Sequence, residues 1–178
     1  TKFDNRENLP YIFRKNHLSL LPITRGDYII GTYDAYQDIK YESKENTSLS
    51  LPEYIESIST NDLYSESACL NCAYASGIIT VSGRMSSDAF NFRIKSSKQE
   101  KYQKIRVTNS QVEIDGGYES DSVLVLIEAK NYSVDNFLIR QLYYPYRLWK
   151  DKVKKEVIPA FFTYSSDIFS FFIYKFKD

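Results

Sequence analysis

Three charged residues near the middle of the chain have the types and spacing for hydrolytic chemistry. Asp115 is followed, after twelve intervening residues, by Glu128-Ala129-Lys130. Glu128 and Lys130 stand two apart, so on an extended strand they share one face. They follow the apolar run VLVLI, and charges at the end of a buried strand are costly unless paired or bound to a metal. Two carboxylates on adjacent strands can hold a hard divalent cation such as Mg²⁺ and leave coordination positions for water and a phosphate. The backbone carbonyl of Ala129 can add a further ligand. Lys130, beside that cation, can orient or help deprotonate an attacking water and offset charge in the transition state. The set points to metal-assisted hydrolysis of a phosphodiester.

The elements that must position these groups follow from the surrounding pattern. Residues 111–130, QVEIDGGYESDSVLVLIEAK, predict two strands joined by a tight turn. The first runs from Gln111 to Asp115, with Glu113 and Asp115 on one face. Gly116-Gly117 supplies the positive-φ freedom for a sharp reversal. The second, Val123 to Lys130, suits a central strand buried on both faces. Ahead of this hairpin, residues 62–76 predict a helix capped by Ser65 or Asn61-Asp62. Leu63, Ala68, Leu70, Cys72 and Ala73 form its core face, and Gly77 stops it. Glu66, in its first turns, is either an extra metal ligand or supporting acid facing the hairpin, or an acid that favours the helix dipole.

Downstream, Ser133 or Asp135 opens a predicted helix through NFLIRQLYYPYRLWKDKV, which Pro145 should kink or end. Arg140 and Gln141 fall on the turns nearest Lys130. Two β-prone runs, VIPAFFTYSS and DIFSFFIYKF, close the chain around a Ser-Ser-Asp turn. This order predicts an α/β fold with a mixed central β-sheet flanked by helices.

The first half is less regular. Residues 4–16 predict a short helix with a proline within it, and LSLLPITRGDYIIGTYDAY alternates toward strand, with Gly26 and Gly31 as turn or bulge points. Residues 38–53 predict an exposed polar loop. Residues 78–95 predict strand, turn and strand, with Gly83 and Ser86-Ser87 in the turn. Lys95, Lys98, Lys101 and Lys104 form either a solvated face or a track for DNA. Residues 1–50 are expected to form an N-terminal helix and strand segment, a candidate DNA-contacting arm. Residues 51–178 form the expected core.

Composition sets the outer limits. The 178 residues, 43% hydrophobic and 26% charged, suit one domain with a real core. Formal net charge is zero, so no global basic field announces a polyanion, although a basic patch can be offset by an acidic site. Cys69 and Cys72 lack the partners of a four-ligand zinc site and are expected as small buried helix residues. The chain carries no apolar stretch of membrane-spanning length and no signal pattern, so a cytoplasmic location is expected. It opens on Thr rather than Met, as a trimmed or excised piece would.

Asp115 and Glu128-Ala129-Lys130, in a strand, turn and strand followed by a helix, resemble the PD-(D/E)xK nuclease motif. The segments LPITRGDYIIG, SESACLNCAYASGII, QVEIDGGYE and IEAKN, followed by FLIRQLYYPYRLW, are similar to a group of bacterial type II restriction endonucleases. The resemblance covers most of the chain and implies a restriction-endonuclease-like core. It implies Asp115, Glu128 and the Ala129 carbonyl as ligands of one or two Mg²⁺ ions, and Lys130 as the catalytic lysine. Glu66 would match an acid on the preceding helix, and Glu113 and Gln141 would support the ligands from behind. The Gln-x-x-x-Tyr spacing of related nucleases fails, because Pro145 occupies the tyrosine position and Tyr146 comes one later. Ile114, rather than proline, precedes Asp115. The implied activity is sequence-specific cleavage of double-stranded DNA by a homodimer in a bacterial cytoplasm, with a partner methyltransferase that this chain does not encode. The same fold also serves repair or recombination nucleases such as junction resolvases, and inactive DNA-binding modules. Arg25, Arg84, Asn91 and Arg93 are the candidates for reading base edges.

Overall fold

A computed structural model describes residues 3–42, 48, 53, 63–75 and 83–177. Among them the chain is mixed α/β, mostly strand with few helices. A 3-10 turn at Arg6–Asn8 precedes α1 (Tyr11–Asn16), β1 (Ser19–Pro22), β2 (Tyr28–Gly31) and β3 (Tyr36–Asp38). Next come α2 (Glu66–Ala75), β4 (Gly83–Ser86), β5 (Phe90–Lys95), β6 (Tyr102–Val107) and β7 (Gln111–Ile114). The remainder is β8 (Gly116–Glu119), β9 (Val123–Lys130), β10 (Asn136–Leu138), α3 (Arg140–Lys150), β11 (Glu156–Ser165) and β12 (Ile168–Ile173). No helix among the described residues is long and apolar enough to cross a membrane.

The central sheet has the order β12-β11-β9-β8. β9 runs parallel to β11, with Glu128 opposite Phe161 and Lys130 opposite Thr163, while β8 and β12 are antiparallel edges. β9 can lie in the middle because its apolar run offers both faces to helices. On one face Cys69, Leu70, Cys72 and Ala73 of α2 pack with Ile127, Ala129, Ala160 and Phe162. On the other, Leu142 of α3 packs with Phe137 and Phe161, and Trp149 reaches the cluster of Leu124 and Leu126. Strand alternation therefore turns Leu124, Leu126, Glu128 and Lys130 together toward the α3 side. The opposite flank of α3, with Tyr144 and Leu148, shares a core with Leu9, Leu21 and Tyr36 from the first part of the chain and with Phe90, Ile94 and Val107. The closing hairpin forms as its pattern predicts, and Ser166 and Asp167 both take positive φ, as a two-residue turn between twisted strands requires.

Several expectations are corrected. Gly116-Gly117 is not the reversal: both belong to β8, which pairs with β9 from Gly116 opposite Ile127 to Glu119 opposite Leu124. The chain turns at Ser120–Ser122, where Ser120 Oγ accepts the Ser122 and Val123 N–H groups at 3.3 and 3.2 Å. Gly116 lies outside the left-handed region and serves packing, since a Cβ there would stand 3.1 Å from the Tyr118 hydroxyl and 3.6 Å from Leu70 of α2. β4 and β5 do not form a hairpin together. Gly83 to Ser86 is strand, not turn, and pairs with β7, while β5 pairs with β6, which lies within the lysine-containing stretch.

Residues 4–16 hold two short pieces rather than one helix, because Pro10 sits at the N-cap of α1. The stretch opening at Asn136 is first a strand, β10, paired with β3. Asn136 is held there by accepting the Arg6 N–H at 2.7 Å and donating to Glu7 at 3.0 Å. Pro145 neither ends α3 nor divides it into two helices; it is buried within the one helix. Most of the predicted 38–53 loop, Asn61-Asp62, Gly77 and residues 78–82 lie outside the described residues.

Candidate active site

At the end of β9, Glu128 and Lys130 are 5% and 8% exposed. Lys130 Nζ donates to Glu128 Oε1 at 2.5 Å and to the Ala129 carbonyl at 3.2 Å. Gln141 Nε2, from the first turn of α3, donates to the same Glu128 oxygen. Asp115 is the joint where the chain leaves β7 for β8. Its N–H donates to the Ile127 carbonyl at 3.2 Å, and its Oδ2 accepts the Ala129 N–H at 2.8 Å. One backbone bond and one side-chain bond, both to the backbone of β9, thus fix Asp115 against the strand that carries Glu128 and Lys130.

The charges are unbalanced. Burial pushes the Glu128 carboxyl up against the pull of Lys130, and Asp115 adds to the rise. Burial also raises Asp115, opposed by the Ala129 N–H and Lys130 and reinforced by Glu113 and Glu66. Burial works to lower the Lys130 ammonium, yet Glu128, with Asp115 and Asp4 beyond it, outweighs this and holds it above its usual value. One ammonium stands among several carboxylates, so the local field favours an additional cation.

The donor set suits a hard divalent ion. Mg²⁺ is commonly held by one or two carboxylates with waters and substrate oxygens completing its shell. Asp115 Oδ1 and Glu128 Oε2 stay outside the hydrogen bonds made among the described residues. Gln141 Oε1 and Thr163 Oγ1 are buried without a partner there, and bound water could satisfy such atoms. Among the described residues no group of three or more His, Cys, Asp or Glu side chains is placed to hold a metal ion.

The residues singled out by sequence fall into two groups. Asp115, Glu128, Ala129, Lys130 and Gln141 are joined directly by hydrogen bonds. Glu66, the half-buried first residue of α2, and the exposed Glu113 of β7 act on Asp115 through their charge. The DNA-contact candidates lie elsewhere. Arg25 donates to Ser86 Oγ at 2.6 Å, and the Arg93 guanidinium lies 5.8 Å from the Tyr102 ring centre. Asn91 is exposed on β5, and Arg84 lies opposite Glu113 on β4, its side chain outside the described residues.

Two neighbours were missed from sequence. Thr163, 1% exposed, stands beside Lys130 through the β9–β11 register. Asp4 acts on both Glu128 and Lys130, and its carbonyl accepts the Leu138 N–H at 2.8 Å. Neither had a local signal, because strand register and the return of the N-terminal segment are tertiary facts.

Comparison with known proteins adds family membership without an activity. The family model described as Domain of unknown function (DUF6997) matches residues 31–178, and that described as Domain of unknown function (DUF6996) matches residues 1–30. No curated protein and no solved structure matches the chain.

Proposed function

The chain belongs to the DUF6997 domain family, and for this member we propose Mg²⁺-dependent hydrolysis of phosphodiester bonds in double-stranded DNA, of the restriction-endonuclease type. The observation that carries this reading is the anchoring of Asp115 by the Ala129 N–H, which sets a second carboxylate beside the buried Glu128–Lys130 pair. A helix before the antiparallel β8–β9 pair and a helix after it, α2 and α3, support the reading through the element order on which the motif resemblance rests.

Asp115, Glu128 and the Ala129 carbonyl would hold the cation, which when bound supplies Lewis-acid polarisation of the phosphate and a more acidic water. Gln141 keeps Glu128 turned toward Lys130. Lys130 is held as an ammonium, so its part is to orient the water and offset negative charge on phosphate oxygens rather than to accept a proton. Cutting both strands takes two such sites, which favours a homodimer on a two-fold DNA site in the cytoplasm. A companion methyltransferase would protect the host DNA.

The test is digestion of mixed plasmid and phage DNA with and without Mg²⁺, using wild type, Glu128→Ala and Lys130→Ala. Discrete Mg²⁺-dependent bands, lost in both variants, are expected. Cutting confined to branched DNA would replace the restriction reading with a repair or recombination nuclease. A folded wild type that leaves every substrate intact in Mg²⁺ or Mn²⁺ would overturn the hydrolase reading.

A further inference from the structure

Helix α3 presents Arg140, Tyr143, Tyr144 and Arg147 at i, i+3, i+4 and i+7, along one face. That face and the β5–β6 hairpin line a cleft of about 750 Å³. Its cations are Arg93, Lys95, Lys104, Arg140, Arg147 and Lys177, and among the described residues no carboxylate lines it. The chain as a whole is neutral, so this is a local excess of positive charge.

Several observations indicate what the cleft accommodates. Arg140 and Arg147 are half-buried, and the Nε of each is buried without a hydrogen-bond partner among the described residues, so both guanidinium groups are under-satisfied within the chain. Arg93 stands directly opposite Lys104 in the β5–β6 ladder, a like-charge pairing that disfavours the hairpin until an anion lies across it. The existing ion pairs are weak competitors. Lys95 meets Glu100 at 3.1 Å and Arg147 meets Asp151 at 3.9 Å, with the acids 91% and 72% exposed. Phe90 and Ile94 turn to the core shared with Tyr144 of α3, so Asn91, Arg93 and Lys95 project from the other, exposed face of a two-stranded ribbon, an element that a DNA major groove admits. Arg140 is the chain neighbour of Gln141, which holds Glu128, so cleft and carboxylates share the first turn of α3.

We propose that the cleft between α3 and the β5–β6 hairpin binds the sugar–phosphate backbone of duplex DNA and leads it to the carboxylate site. The choice of DNA as the polyanion rests on the nuclease reading. The cleft itself is tested by binding alone.

Fluorescence anisotropy of a labelled duplex oligonucleotide, in EDTA and across a salt series, separates the two. Arg93→Gln/Lys104→Gln and Arg140→Gln/Arg147→Gln are compared with wild type and with Lys152→Gln/Lys154→Gln, exposed beyond the end of α3, as a charge-matched control. Each cleft pair should weaken binding by about tenfold or more and flatten the slope of log affinity against log salt by about 1–2, one step for each phosphate left without its cation. The control should bind as wild type does. The exposed Arg93/Lys104 pair keeps the test valid if the half-buried arginine pair fails to fold. Wild-type affinity and slope in the Arg93/Lys104 variant, absent binding by wild type, or a clear preference for the single strand would each overturn the proposal. Cleft-dependent binding by a protein that never cuts would uphold the cleft and remove the nuclease reading.

Discussion

At the residue scale, the site is a buried charge arrangement that folding alone does not favour. Glu128 and Lys130 meet at 2.5 Å with side chains 7% and 10% exposed. Removing one member of such a pair costs about 3–5 kcal/mol, whereas replacing both by neutral groups of similar shape is often neutral or stabilising. Lys130→Met should therefore lower the melting temperature, toward the small end of that range because the Glu128 carboxyl is already raised and can take a proton. Adding Glu128→Gln to Lys130→Met should restore the wild-type value or exceed it. Thermal unfolding at neutral pH without divalent metal gives the answer, and a double variant as unstable as Lys130→Met would mean that the pair is structural. These two residues were readable in sequence because a strand's period of two fixes their common face. Thr163 was not, since its neighbour Lys130 lies thirty-three positions away and is assigned only by the β9–β11 register.

At the element scale, β9 and the closing β11–β12 hairpin were legible because their patterns are local: an apolar run ending in charges, and two aromatic runs around a short turn. β8 was not. Gly116-Gly117 reads as a reversal by composition, yet the reversal is made by Ser120, whose hydroxyl accepts two backbone N–H groups. The glycine at 116 is instead what lets β8 pass under Leu70 and leaves room for the side chain of Tyr118 in the same strand. The two roles give different costs. A turn glycine at positive φ resists even alanine, whereas a packing glycine resists in proportion to side-chain size. Gly116→Ala should cost about 1 kcal/mol or less and Gly116→Val about 1–3 kcal/mol by denaturant unfolding, because overpacking a filled core forces neighbours to shift. Equal and large losses for both would restore the turn interpretation. Since Asp115 immediately precedes Gly116, the proposed nuclease function further predicts that the valine variant loses more cleavage than its stability change explains.

At the scale of the whole molecule, α3 joins two bodies of packing. One flank closes on the central sheet through Leu142, and the other shares a core with the first part of the chain and with the β5–β6 hairpin. The carboxylates sit at this junction, with Asp4 acting on them from the N-terminal segment. Their uncompensated charge opposes the folded state, and a cation bound only by the folded chain should relieve it. A ligand at a hundredfold excess over its dissociation constant adds about 2.7 kcal/mol, which for a domain of this size corresponds to roughly 5–10 °C in melting temperature. Mg²⁺ or Mn²⁺ titrated into wild type should raise the transition by that order, and Asp115→Asn/Glu128→Gln should respond to neither ion. An equal response in the double variant would locate the bound cation elsewhere. No response in wild type at saturating metal would mean that the carboxylate excess is tolerated without a cation, and the metal-dependent mechanism would then lose its basis whatever DNA the chain binds.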